Sequence, residues 1–118
     1  MSSLKERKQA RERQEDQDCA RADFAVHLTA MATGVSQAEI TGSSRHARAA
    51  RARQIAMYLT QVGYGLTLSR VGAAFGRDRA TVAHALRQVE AQRDDPDTDQ
   101  LLAGLETALR NTPTWRFP

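Results

Sequence analysis

Between Thr67 and Gln92 the apolar residues recur at helical spacing, and a glycine cuts the run in two. Leu68, Val71, Ala74 and Phe75 make one short stripe, which Thr67 can cap and Gly76 can stop. Val82, Ala85, Leu86 and Val89 make a second, at i, i+3, i+4 and i+7, with Asp78 placed to cap it. Each stripe must be buried against something, and a link of three or four residues forces the two helices to pack on each other at an angle. The spacing therefore predicts a helix-turn-helix over about 67–91 and excludes a strand there. The second helix opens on a polar side bearing Arg79, Ala80, Ala83 and Arg87.

The rest of the chain repeats the helical period. Ala20, Phe24, Leu28 and Met31 predict a first helix over 19–32 that Gly34 ends. Val35 to Ile40 reads as a short turn of helix, with Ser36 and Glu39 at capping-box spacing, followed by a small polar loop from Thr41 to Arg45. A long helix from Ala47 to Val62 places Ala52, Ile55, Ala56, Leu59 and Val62 on one stripe and Arg48, Arg51 and Gln54 on another, until Gly63 and Gly65 break it. After a loop around Pro96, Asp97 or Thr98 can cap a last helix carrying Leu101, Leu102, Leu105 and Leu109. The predicted fold is all-α, a small bundle of five or six helices containing the helix-turn-helix. Leu59, Val71, Phe75, Val82, Leu86 and Val89 should be mostly buried.

The 118 residues suffice for one domain, and 41% hydrophobic with 5% aromatic implies a core of alanine, leucine and valine. Residues 1–18 are almost wholly charged and amide side chains, with no apolar stripe. They read as a disordered arm or a frayed, exposed helix preceding a domain at 19–110. Residues 111–118 form a tail whose Trp115 and Phe117 either pack back or meet a partner. No apolar stretch approaches 18 residues, so neither a membrane span nor a signal peptide is expected, and one cysteine, Cys19, makes the cytoplasm the default address.

Charge is uneven. Residues 24–92 carry eight arginines and no lysine against Glu39, Asp78 and Glu90, whereas residues 1–23 are balanced and 93–118 are acidic. Arginine offers a rigid fork of donors suited to phosphates and guanine edges. A basic centre built on a helix-turn-helix points to nucleic acid. His27, His46, His84 and Cys19 are too dispersed for a metal site, no nucleophile, base and acid can be assembled, and no GxxxxGK[ST] loop is present. Metal, cofactor, nucleotide and catalysis are therefore not expected. His84 fits a structural hydrogen bond.

Residues 51–85, RARQIAMYLTQVGYGLTLSRVGAAFGRDRATVAHA, resemble the C-terminal DNA-binding domain of the bacterial chromosomal replication initiator DnaA. The likeness rests on Arg53-Gln54-Ile55-Ala56-Met57 opening the long helix, on Thr67-Leu68, and on Phe75-Gly76-Arg77-Asp78-Arg79-Ala80-Thr81-Val82-Ala83-His84-Ala85. It extends more weakly from Val35 to about Gln92. It implies double-stranded DNA as partner, with Arg45 entering the minor groove, Asp78, Arg79 and Ala80 facing bases, Thr81 holding a phosphate, and Arg77 and Arg87 flanking it. Arg48 and Arg51 either neutralise phosphates or keep the helix soluble.

Three departures bear on specificity. One glycine of the family's pair is missing before Arg77, Arg79 replaces a histidine, and Ala80 replaces a threonine. Arginine can bond guanine bidentately, whereas alanine offers only apolar contact, for example to a thymine methyl. The resemblance covers the reader domain alone and not the family's ATPase module. The expected function is sequence-specific DNA binding, in control of transcription or of replication initiation, with the nucleoid as the place of action. The competing function is an adaptor that keeps the fold and binds a protein through the N-terminal arm or C-terminal helix.

Overall fold

Side-chain caps mark out the helices. The computed structural model describes residues 3–112, which form α1 (Leu4–Thr33), α2 (Gln37–Thr41), α3 (Ala47–Tyr64), α4 (Leu68–Phe75), α5 (Arg79–Gln92) and α6 (Pro96–Arg110). No strand occurs among the described residues, and the all-helical expectation holds. Ser3, Ser36, Thr67, Asp78 and Asp95 each accept a backbone N–H three residues ahead, satisfying donors that the helix itself leaves open. Both Trp115 and Phe117 lie outside the described residues.

α3 is the axis of the bundle and packs against all five other helices. Ile55, Tyr58 and Leu59 meet Ala25, Val89, Leu102, Leu105 and Leu109. On another flank, Ala49, Ala52 and Ala56 meet Val26, Val35 and Ile40. Near its end, Met57 meets Leu66, Val71, Val82 and Ala85, which fixes the α4–α5 pair to the bundle. Leu59, Val71, Val82 and Val89 are buried as expected, while Phe75 and Leu86 are half-buried.

Four expectations need correction. Helical order begins at Leu4 rather than near Ala20, and the exposed residues before Asp18 are continuous with the rest of α1. Their anchor is an ion pair and not an apolar stripe: buried Asp18 accepts from Arg70 Nε at 2.9 Å and Nη2 at 2.8 Å, with Arg21 at 3.6 Å. Met31 is 71% exposed, and the buried side of α1 is instead Ala22, Ala25, Val26 and Thr29, small residues that let α1 lie close to α3. Val62 faces solvent, and Gly63 does not break α3 but sits inside it. A Cβ at Gly63 would fall 2.0 Å from Leu109 Cδ2, so a side chain there would force Leu109 of α6 to shift.

The start of α6 is the fourth. Pro96 is its first residue, where the absent N–H costs nothing, and the cap is Asp95 in place of Asp97 or Thr98. Thr98 is the recipient, giving Asp95 both its N–H and its hydroxyl at 2.9 Å. Arg93 then closes the far end of the bundle, reaching Tyr58 Oη at 3.0 Å, Asp99 Oδ1 at 2.6 Å, and Glu106. The bond to Asp99, followed by that to Tyr58, raises the Arg93 pKa further.

Candidate nucleic-acid interface

The link between α4 and α5 is three residues, Gly76, Arg77 and Asp78. Gly76 takes φ 66°, a left-handed turn that a side chain disfavours. The chain then folds back on α4: Arg77 N–H donates to Gly72 O at 2.8 Å. A Cβ on Gly72 would stand 2.5 Å from Arg77 O, so this buried glycine is required for the backbone approach. The short turn keeps α4 against α5 through Val71, Val82 and Ala85.

Asp78 caps α5, its Oδ1 accepting from Thr81 N–H at 2.7 Å. That bond holds the Asp78 carboxyl below its ordinary pKa. The cap leaves Arg79, Ala80 and Thr81 exposed around the first turn. Val82, Ala85 and Val89 are buried, so Ala80, His84 and Arg87, at i, i+4 and i+7, face away from the bundle. His84 is thus exposed on this outer face and not held in a structural hydrogen bond within the core.

The loop after α2 is brought beside this helix start by two arginines. Arg53 donates from Nε to Ile40 O at 2.8 Å, from Nη1 to Ser44 O at 3.2 Å and from Nη2 to Glu39 O at 2.9 Å. Arg77 donates from Nη2 to Gly42 O at 2.6 Å and from Nη1 to Phe75 O at 3.1 Å. Carbonyls at a helix C-terminus carry partial negative charge, which suits both guanidinium groups. Burial, then the Arg77 charge, lowers the Arg53 pKa, a sign of how closely the two clips sit. Arg45, on the loop so held, is exposed.

Arg77 thus ties the loop that carries Arg45 to the turn just before Arg79, Ala80 and Thr81, which are exposed on the first turn of α5, with Arg87 two turns along that helix. Arg77 and Asp78 act as fasteners. Arg48 and Arg51 go elsewhere: Arg48 Nη2 donates to Thr33 O at 3.1 Å and Arg51 Nη2 to Thr98 Oγ1 at 3.2 Å, toward the ends of α1 and α6. Arg53 lies two residues beyond Arg51, about 200° round the helix, which is why it alone faces the loop.

Among the described residues no cluster of His, Cys, Asp and Glu could hold a metal ion, and no helix is long and apolar enough to cross a membrane. Desolvation, then the charges of Asp23 and Asp16, raise the pKa of the exposed Cys19 thiol.

A family model for the bacterial DnaA protein helix-turn-helix matches residues 23–89. The chain belongs to the bacterial DnaA helix-turn-helix family. It is 39% identical over 71 residues to the chromosomal replication initiator protein DnaA of a Picosynechococcus species, covering 59% of this chain and 16% of that protein. With the DnaA of Crocosphaera subtropica it shares 34% over 96 residues, 80% of this chain and 21% of that one. A crystal structure of a DNA replication initiation factor superposes with a TM-score of 0.75 at 31% identity, over 85% of this chain and 31% of that chain. A replication initiator DnaA bound to AMPPCP and single-stranded DNA gives 0.75 at 30%, over 88% and 32%. The chain thus spans about a sixth to a fifth of the length of the DnaA proteins it matches.

Proposed function

We propose that this chain is a sequence-specific reader of double-stranded DNA, acting on replication initiation or transcription from sites related to those of the initiator. The observation that carries the reading is the pairing of an open α5 start with a clipped Arg45 loop, in a member of the DnaA helix-turn-helix family. α5 enters the major groove, where Arg79 donates two hydrogen bonds to guanine and Ala80 meets a thymine methyl. Thr81 holds a phosphate, Arg87 a second one further along, and Arg45 enters the adjacent minor groove. Arg77 and Asp78 build this surface from behind. Arg48 and Arg51 supply long-range attraction rather than contact. The protein works in the cytoplasm, on the nucleoid, as a DNA-binding module without catalysis.

Selection of bound duplexes from a random library tests this. A recovered consensus that the protein prefers to scrambled duplex at fixed salt supports the reading. Binding without sequence preference, or none, would instead favour the protein adaptor.

A further inference from the structure

The amino-terminal half of α1 is the largest feature that the proposed interface leaves unused. Residues 3–16 are exposed throughout. Their charges are segregated along the helix: Lys5, Arg7, Lys8, Arg11 and Arg13 face only Glu6 and Glu12, whereas the next stretch carries Glu15, Asp16, Asp18 and Asp23 against Arg21. Net neutrality over residues 1–23 therefore hides a basic outer end and an acidic inner one.

The inner end is fastened to the helix-turn-helix. Asp18 is locked to Arg70 in the first turn of α4, and a cavity of about 370 Å³ runs between the two helices, lined by Arg11, Gln14 and Cys19 on one side and Ala73 and Ala74 on the other. Phe75, at the other end of α4, packs into the cluster holding Val26 and Ile40. α4 consequently runs parallel to α1, and residues 4–10 of α1 overhang the start of α4 by about 10 Å at helical rise. Arg7 and Arg11 lie eleven and seven residues before Asp18, on the stripe that faces α4, with Lys8 beside them.

Apolar groups on residues 4–17 are only Leu4 and Ala10, so this segment has no seam for a partner helix or a second copy. Its chemistry suits phosphates. In a helix-turn-helix the first helix of the pair crosses the DNA backbone. A basic rod lying parallel to that helix and overhanging its start is carried to the backbone beyond the groove α5 occupies. We infer that Arg7, Lys8 and Arg11 form a second DNA contact, sequence-independent, which extends the footprint of the helix-turn-helix on one side. This rests on the duplex-DNA reading above.

The test compares wild type with a triple variant, Arg7→Gln, Lys8→Gln, Arg11→Gln, on duplexes that end at the selected site or extend a helical turn to either side. Arg13→Gln, on the opposite side of α1, is the charge control. The full chain is used, with circular dichroism confirming equal helicity. Wild type should bind an extended duplex more tightly than the minimal one, for extension on one side only. The triple variant should lose that gain, lower the slope of log K against log salt by about two to three, and keep its preference for the selected site over a scrambled one. Arg13→Gln should change little. Equal gains from extension in wild type and triple variant, or a gain absent from wild type, overturns this inference while leaving site preference intact. Loss of duplex binding by wild type would overturn the underlying reading instead. Helicity lost in the triple variant is met by Arg7→Lys, Arg11→Lys: retained extension gain there supports a charge contact, and its loss contradicts one.

Discussion

Arginines both fasten the loop after α2 in place and stand exposed on that loop and on α5, yet the two sets live differently. Arg53 and Arg77 spend their donors on five backbone carbonyls, from Glu39 to Phe75. Arg79 and Arg87, and Arg45 on the clipped loop, are exposed, and no hydrogen bond or ion pair is formed by their side chains among the described residues. The contrast teaches that arginine density alone does not mark a binding surface. In the proposed reading, the surface is marked by guanidinium groups kept exposed beside others that are already satisfied, because only the former have donors to offer a ligand.

The sharpest way to break this contrast is to spoil the scaffold. Gly72→Ala puts a methyl 2.5 Å from a backbone oxygen, so the turn must shift. Stability should fall by roughly 1–3 kcal/mol, as overpacking does, and site preference should fall with it. Chemical denaturation and anisotropy on one preparation check both. Next comes Arg53→Ala, which leaves the carbonyls of Ile40, Ser44 and Glu39 without this donor. A loss of about 1–3 kcal/mol is expected, with the loop carrying Arg45 becoming open to proteolysis. An unchanged cleavage pattern would remove Arg53 from its role as a clip.

The fold was largely legible because its signals are local. Caps at Ser36, Thr67 and Asp78 and the stop at Gly76 announce themselves within four residues, and the apolar period carries the helices. Legibility ends where the deciding partner is distant in sequence. Asp18 could not be paired with Arg70, nor Gly63 with Leu109, from a window of one helix. The candidate site divides the same way. Arg79 and Thr81 follow from their place at a helix start, whereas Arg77 facing Gly42, and Arg51 facing Thr98, depend on tertiary packing across 35 and 47 residues. Arg53 was visible only as half of a family pair, although a cation on the flank of α3 next to Ile55 and Ala56 was a usable hint.

Milder effects sharpen the contrast further. The carboxyls of Asp78 and Asp95 are held below their ordinary values by the N–H groups of Thr81 and Thr98. Their contribution to stability is therefore complete above the unfolded value near pH 4 and is lost as pH falls through the lower folded value. Denaturation midpoints between pH 5 and 2 should decline less steeply in Asp78→Asn, Asp95→Asn than in wild type. Smallest of all, Arg48→Ala and Arg51→Ala should leave the salt slope nearly unchanged, since both side chains turn to Thr33 and Thr98. A slope lower by about one unit in either would return that residue to the phosphate path.

Exposed Arg79 is proposed to read sequence, whereas the inward arginines only build the surface. Competitive binding of wild type and Arg79→Ala to selected, scrambled and initiator-type duplexes at fixed salt tests this, with denaturation midpoints measured alongside. The expected result is an unchanged midpoint and a loss of roughly 1–3 kcal/mol of discrimination, about 5- to 150-fold, leaving weak electrostatic binding. Arg79→His with Ala80→Thr should move preference toward the initiator-type duplex. Equal discrimination by wild type and Arg79→Ala would contradict a base-reading role for Arg79.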